Sequence, residues 1–259
     1  MRPNPLRDCW SAERVSLGGW LTVPSAVTAE VVAAAGLDYV VVDGQHGLID
    51  YSDSLSMLQA ITTWGVTPVV RVLHNRPEHI GRALDAGAMA VIVPMVNSPE
   101  ECEAAVRASR YAPAGSRSFG PTRAATVEGA DYFDKANEQV ALIPMIETAQ
   151  ALQSIDSIVS VDGVEAIYVG PADLAISLGF SPGSTDPLFL EALDQVVDSC
   201  RRHDVIPGIH ANRSTVQDRL ERGFQMVTVV TDLSALQERV TDDVAMVRDR
   251  SGTADPSPA

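Results

Sequence analysis

The chain has 259 residues, 46% of them hydrophobic, a net charge of −15 and three cysteines. That length allows a sizeable core in one domain, and that charge disfavours a phosphate-backbone partner, so no nucleic acid is expected and small molecules are the expected ligands. Cys9, Cys102 and Cys200 are far apart and odd in number, which argues against a disulfide framework and for a reducing compartment.

The N-terminal stretch MRPNPLRDCWSAERVSLGGW lacks the uninterrupted apolar core of a signal peptide. No apolar run approaches the ~20 residues that span a bilayer, so a cytoplasmic protein without a membrane partner is expected. Residues 1–15 are expected to form a short capping segment. After them come a predicted strand LGGWLTV (17–23), a helical stretch SAVTAEVVAAA, Gly36 and the strand LDYVVVD. A helix over 51–63, the strand TPVVRV (67–72), a helix PEHIGRALDA, Gly87 and the strand AMAVIVP follow. The pattern continues with a helix over 98–110, a long loop over 113–138, the strand VALIPMIE (140–147), Gly163 and the strand VEAIYVG. It closes with a helix over 185–202, the strand VIPGIH (205–210), a helix STVQDRLER, Gly223, the strand FQMVTVV and a helix over 232–248, and residues 249–259 read as a disordered tail.

Glycine before a strand suits the left-handed residue that ends a helix. Runs apolar at nearly every position suit parallel strands covered on both faces. Eight such strands alternating with helices predict an α/β fold, a single-domain (β/α)8 barrel over residues 1–248. An open doubly wound sheet is the alternative, but no Gly-x-Gly-x-x-Gly follows the first strand. Chemistries are narrowed too. Lys135 is the single lysine among 19 basic residues and stands in the polar stretch DYFDKANEQV, so no P-loop exists and Schiff-base chemistry has almost nothing to use.

In a barrel, chemistry sits at the C-terminal ends of the strands. Asp43 and His46 follow the second strand, Arg71 ends the third, Glu147 ends the fifth and Asp173 follows the sixth. Each alone is as well explained by a turn, a helix cap or an ion pair; their coincidence at one mouth points to a site. Glu147 and Asp173 offer two hard oxygen ligands, a pattern that suits Mg²⁺ or Mn²⁺ completed by water and substrate oxygens. Zinc is disfavoured because no histidine pair has ligand spacing, and His74 and His79 read as structural, on different sides of a helix.

The segments DGQHG, PVVRV, ALDAGAMAVIVPMV, ASRYAPAGSRSFGP, IPMIETAQAL and VGPADLAISLG resemble the HpcH/HpaI aldolase family over about residues 16–240. The resemblance implies a class II, divalent-metal pyruvate aldolase, a carbon–carbon lyase acting on a 4-hydroxy-2-oxo acid to give pyruvate, or a related 2-keto acid, and an aldehyde. It implies that Glu147 and Asp173 hold the metal (Mg²⁺ or Mn²⁺, with Co²⁺ as a further candidate), that Arg71 bonds the ketone oxygen, and that His46 is the general base. Asp43 would stand near metal-bound water, and the backbone at Gly170, Pro171 and Ala172 would receive the substrate carboxylate. Asp85, at a helix end before the fourth strand and hence at the barrel's bottom, would pair with His46 of a neighbouring subunit, which implies a homohexamer. The physics agrees, because a cation and a guanidinium aimed at the developing enolate oxygen stabilise it, and imidazole titrates near working pH.

Three positions depart from the family pattern: Gln45, Met145 and His210, the last where an apolar residue often lines the aldehyde pocket. They leave the metal and enolate chemistry in place and predict a different, polar acceptor. Arg117 and Arg123, in SRSFGPTRAAT, are expected either to cover the mouth or to form ion pairs on a solvated loop. Two rival functions remain at this point, a CoA-thioester lyase of the citrate lyase β or malyl-CoA type and a catalytically silent keto-acid-binding barrel.

Overall fold

A computed structural model describes residues 1–251. Eight parallel strands close into a barrel in sequence order. The strands are β1 (Ser16–Leu21), β2 (Tyr39–Asp43), β3 (Thr67–Arg71), β4 (Ala90–Val93), β5 (Ala141–Ile146), β6 (Ala166–Val169), β7 (Ile206–His210) and β8 (Met226–Thr231). Around them lie α1 (Pro5–Ser11), α2 (Ala26–Ala33), α3 (Tyr51–Thr62), α4 (Pro77–Asp85), α5 (Pro99–Ser109), α6 (Thr122–Glu128) and α7 (Tyr132–Gln139). The rest of the outer layer is α8 (Ala149–Gln153), α9 (Ile155–Val159), α10 (Pro171–Ser177), α11 (Pro187–Arg202), α12 (Val216–Arg222) and α13 (Asp232–Ser251). The chain is thus the single (β/α)8 barrel that its strand–helix alternation predicts. Of the tail expected over 249–259, residues 252–259 lie outside the described residues.

Strand side chains alternate between two cores. Tyr39 and Val41 of β2 face the barrel interior, with Val69, Ile92, Ile143, Met145 and Tyr168, while Val40 and Val42 face the helices. From α1, Leu6, Cys9 and Trp10 join the interior cluster. The two tyrosine hydroxyls inside the barrel are paired, with Tyr168 Oη donating to Thr228 Oγ1 at 2.5 Å and Tyr39 Oη within 3.1 Å of the same atom. The glycines read as preceding strands, Gly36, Gly87, Gly163 and Gly223, take φ of 85°, 101°, 90° and 103°, the region where a Cβ is costly.

The expected loop over 113–138 instead contains α6 and α7. Tyr132 and Ala136 of α7 are buried in the outer core, while Lys135 stays exposed and pairs with Asp131 at 2.5 Å. His74 precedes α4 rather than lying on it, and its ring stands 5.7 Å from that of His79, so the two do not point to different sides of one helix.

The last helix, α13, is unlike the others. After Asp232, which accepts from Thr22 N–H and Val23 N–H at 3.0 Å, no residue from Leu233 to Arg248 is buried. Leu233, Leu236, Val240, Val244 and Val247 recur at helical spacing and are all exposed. No helix among the described residues is long and apolar enough to cross a membrane.

Candidate active site

The interior face of the barrel changes character at its upper end. On β2 the inward positions Tyr39 and Val41 lead to Asp43, and on β3 Val69 leads to Arg71. On β5 Ala141, Ile143 and Met145 lead to Glu147 one step past the strand, and on β7 Gly208 leads to His210. Strand alternation thus delivers charged and polar side chains to one place, where the apolar filling stops.

The β2–β3 register pairs Asp43 with Arg71. Arg71 donates to Asp43 side-on, from Nε to Oδ1 at 2.8 Å and from Nη2 to Oδ2 at 2.5 Å. Trp20 Nε1 adds a hydrogen bond to Oδ2 at 3.0 Å, and the Gln45 and His46 backbone N–H groups reach Oδ1 at 3.0 and 3.2 Å. Burial pushes the Asp43 carboxyl up, but the Arg71 guanidinium and the indole N–H outweigh it and hold the group below the usual carboxylate range. Both residues are buried, so this is a desolvated ion pair with its oxygens fully engaged.

His46, Arg71 and His210 line a cavity of about 200 Å³ together with Trp20 and Met145; its far wall is Gly170, Pro171, Ala172 and Asp173. Asp173 stands in the first turn of α10, whose N-cap is Gly170. Of the backbone donors at this wall, Gly170 N–H is given to Ile146 O at 3.2 Å and Pro171 has none, which leaves Ala172 N–H without a partner inside the helix. His210 touches Thr231 Oγ1 through Nε2 at 3.3 Å. Burial first, and then the positive charge of Arg71, push its imidazole down to about 4, so it is neutral at working pH.

Glu147 is 2% exposed. Its Oε1 accepts the Met95 N–H at 2.7 Å, and a Cβ added at Gly170 would stand 2.8 Å from Oε2. Burial, opposed by the Met95 N–H and reinforced by the nearby charge of Asp173, pushes the Glu147 carboxyl above its ordinary range. Met95 sits at φ 56°, a left-handed backbone that costs a non-glycine residue about 1–3 kcal/mol. Asn97 Nδ2 braces it by donating to Met95 O at 3.0 Å, and Thr148 Oγ1 donates to Asn97 Oδ1.

Among the described residues, no three of His, Cys, Asp or Glu cluster into a protein-only metal cage. What exists is a pair of carboxylates, Glu147 and Asp173, beside an open cavity, whose mutual repulsion the charge of Arg71 only partly offsets. That donor set fits Mg²⁺ or Mn²⁺, which take their remaining positions from water and substrate oxygens.

Three charged groups named from the sequence, Asp85, Arg117 and Arg123, stand at the other end of the barrel. Asp85 lies at the last residue of α4, at the barrel's bottom, where Arg117 Nη2 donates to its Oδ1 at 2.7 Å. Arg117 is not a lid over the mouth. Its chain segment connects a helix to the next strand and therefore runs at the bottom, where the guanidinium is buried against the Tyr111 ring at 4.5 Å. Arg123 Nη1 likewise donates to Ala86 O at 2.5 Å at that end. Three residues escape the sequence reading: Trp20, Met95 and Asn97. The inward parity of LGGWLTV could have flagged Trp20, whereas methionine carries no left-handed preference that would flag Met95.

The family model described as HpcH/HpaI aldolase/citrate lyase matches residues 16–238. A hydroxypyruvate/pyruvate aldolase of Rhizorhabdus wittichii is 38% identical over 95% of this chain and 99% of its own length. A 4-hydroxy-2-oxo-heptane-1,7-dioate aldolase of Klebsiella pneumoniae is 36% identical over 90% of this chain and 89% of its own. The crystal structure of an HpcH/HpaI aldolase/citrate lyase family protein from Burkholderia cenocepacia superposes with a TM-score of 0.89 at 33% identity, over 95% of this chain and 99% of that one. With a matching family model over most of its length, close relatives of the same span and the barrel-mouth carboxylates in place, the chain belongs to the HpcH/HpaI aldolase/citrate lyase family.

Proposed function

We propose that this chain is a class II pyruvate aldolase: with a divalent cation, Mg²⁺ or Mn²⁺ with Co²⁺ as a third candidate, held by Glu147 and Asp173, it reversibly cleaves a 4-hydroxy-2-oxo acid to pyruvate, or a related 2-keto acid, and an aldehyde. The observation that carries this reading is the convergence of His46, Arg71 and Asp173 on one cavity, with Glu147 behind Gly170. The bound cation supplies positive charge against the negative charge that develops on the keto oxygen.

The chain's own groups do the rest. Arg71 spends Nε and Nη2 on Asp43, which leaves Nη1 to donate to the keto oxygen. Ala172 N–H, beside Gly170 and Pro171, receives the substrate carboxylate. His46 takes the proton of the C4 hydroxyl as the C3–C4 bond breaks, the O–H electron pair becomes the aldehyde carbonyl, and the C3–C4 pair moves into the enolate. Protonation at C3 then gives the methyl group of pyruvate. The reading is tested with pyruvate, a panel of aldehydes and Mn²⁺ or Mg²⁺, against a chelated control. Metal-dependent aldol product is expected. Full turnover after chelation sinks the proposal, and activity confined to malyl-CoA replaces it with a thioester lyase.

His210, neutral and half-buried at the cavity wall, provides a polar contact for the acceptor. His210→Leu is expected to shift the preference from hydroxylated toward apolar aldehydes by about tenfold, read as the ratio of kcat/KM between the two classes, with KM for pyruvate unchanged. An unaltered ratio removes His210 from the acceptor site.

A second copy completes the site in this reading. Asp85 is at the far end of its own barrel, and the exposed apolar stripe of α13 supports a homo-oligomer, proposed as a hexamer, in which Asp85 reaches His46 of a neighbour. Mixing inactive His46→Ala and Asp85→Asn proteins, unfolded and refolded together, is expected to restore roughly a quarter of parental activity by random pairing. A mixture that stays inactive, or a fully active monomer in sedimentation, contradicts it. The three free, buried cysteines support a cytoplasmic location.

A further inference from the structure

Trp20 touches three groups of the site at once. Its Nε1 donates to Asp43 Oδ2 at 3.0 Å, the Arg71 Cζ stands 5.0 Å from its ring centroid, and the His210 ring meets it edge-on at 5.1 Å and 80°. From below, the Tyr168 ring supports it at 5.5 Å, and Tyr168 is itself pinned through its hydroxyl to Thr228. Trp20 is buried, so none of these contacts is diluted by water.

We propose that Trp20 is a positioning residue that aims Arg71 at the keto acid and seats His210 in the wall of the same cavity. The side-on fork of Arg71 and the Gln45 and His46 N–H groups hold the plane of the Asp43 carboxylate, and Trp20 Nε1 is the side-chain donor that shares Oδ2 with Arg71 Nη2. Set by a ring packed on Tyr168, it fixes where the Oδ2 end of the pair sits. The ring face then fixes the plane of the guanidinium by cation–π attraction. Two nitrogens of Arg71 are thereby committed, and Nη1 is the one without a protein partner. The same indole touches both Arg71 and His210, so it ties the placement of the cation to that of the neutral imidazole. This rests on Arg71 serving the keto acid, as proposed above.

The test uses Trp20→Phe, which keeps a flat ring and removes the N–H, and Trp20→Leu, which removes both. In Trp20→Phe, kcat/KM for pyruvate is expected to fall by about tenfold to a hundredfold, the value for a lost hydrogen bond to a charged group, while KM for the aldehyde and the order of aldehyde preference stay as in the parent. In Trp20→Leu the aldehyde preference changes as well. A purely structural role would lower the melting temperature and leave this split absent. A readout independent of turnover is the indole N–H resonance of Trp20 in a ¹H–¹⁵N spectrum. It is expected to exchange slowly in the parent and to shift in Asp43→Asn, while those of Trp10 and Trp64 stay in place. A parent without aldol turnover would overturn the aldolase reading, and the resonance would still decide the contact. A Trp20 indole that exchanges as fast as that of exposed Trp64, or a Trp20→Phe enzyme with parental constants for pyruvate, overturns the inference.

Discussion

Glu147→Gln is expected to lower kcat/KM for aldol cleavage by about a thousandfold, ~4 kcal/mol of lost transition-state stabilisation, without unfolding the barrel. The side chain is held by the Met95 N–H at 2.7 Å, and an amide oxygen still accepts that bond, though more weakly than a carboxylate. What disappears is the charge. In the protein without metal that charge is a burden, because burial and the neighbouring Asp173 both disfavour it. The variant should therefore melt no lower than the parent in chelator, and should lose the rise in melting temperature that Mn²⁺ gives the parent. Comparing melting curves with and without Mn²⁺ checks this. A variant that keeps both turnover and the metal-induced rise shows that Glu147 is no ligand. A variant that melts far below the parent in chelator shows that the carboxylate is structural.

The second large effect concerns the Asp43–Arg71 pair. Arg71→Met strands Asp43 as a buried, uncompensated carboxylate, which costs about 3–5 kcal/mol and, at this chain length, roughly ten degrees of melting temperature. Arg71→Lys keeps a positive charge but not the side-on fork, so it should fold near-normally and still lose about a hundredfold in kcat/KM, chiefly through KM for the keto acid. The pair also sets a pH signature. The folded-state pKa of Asp43 is depressed, so its contribution to stability is present above the ordinary carboxylate value of about 3.9 and is lost as pH falls through the lower folded value. Chemical denaturation of the parent from pH 6 downward should show that acid loss, and Arg71→Met should lack this part of it. If Arg71→Met melts with the parent, the pair is not the buried bridge that its geometry describes.

The barrel was legible because eight apolar runs alternate with helical stretches, and four of those runs are announced a second time by a glycine just before them. The site was legible for the same reason. Asp43, Arg71 and Glu147 continue the inward parity of Val41, Val69 and Met145, so position along a strand locates them. Other features left no such trace. The helices α6 and α7 are two turns each, too short for a periodic pattern to stand out. For Arg117 a place over the mouth and an ion pair stood as alternatives; its segment leads from a helix into a strand and so belongs at the opposite end, where the guanidinium pairs with Asp85. Met95 supplies the N–H for Glu147 from a strained backbone, which arises from the bracing of Asn97 and Thr148 rather than from any preference of methionine. That Asp43 answers to Trp20 as well as to Arg71 depends on two strands lying side by side, and spacing along the chain does not encode it.

The uncovered stripe on α13 has a thermodynamic corollary. If that stripe is sealed only by another copy, then association and folding draw on the same free energy, and no single unfolding midpoint belongs to the chain. Serial dilution should drag the midpoint downward, and polar replacements at Leu236 and Val240 should give a barrel whose midpoint ignores concentration.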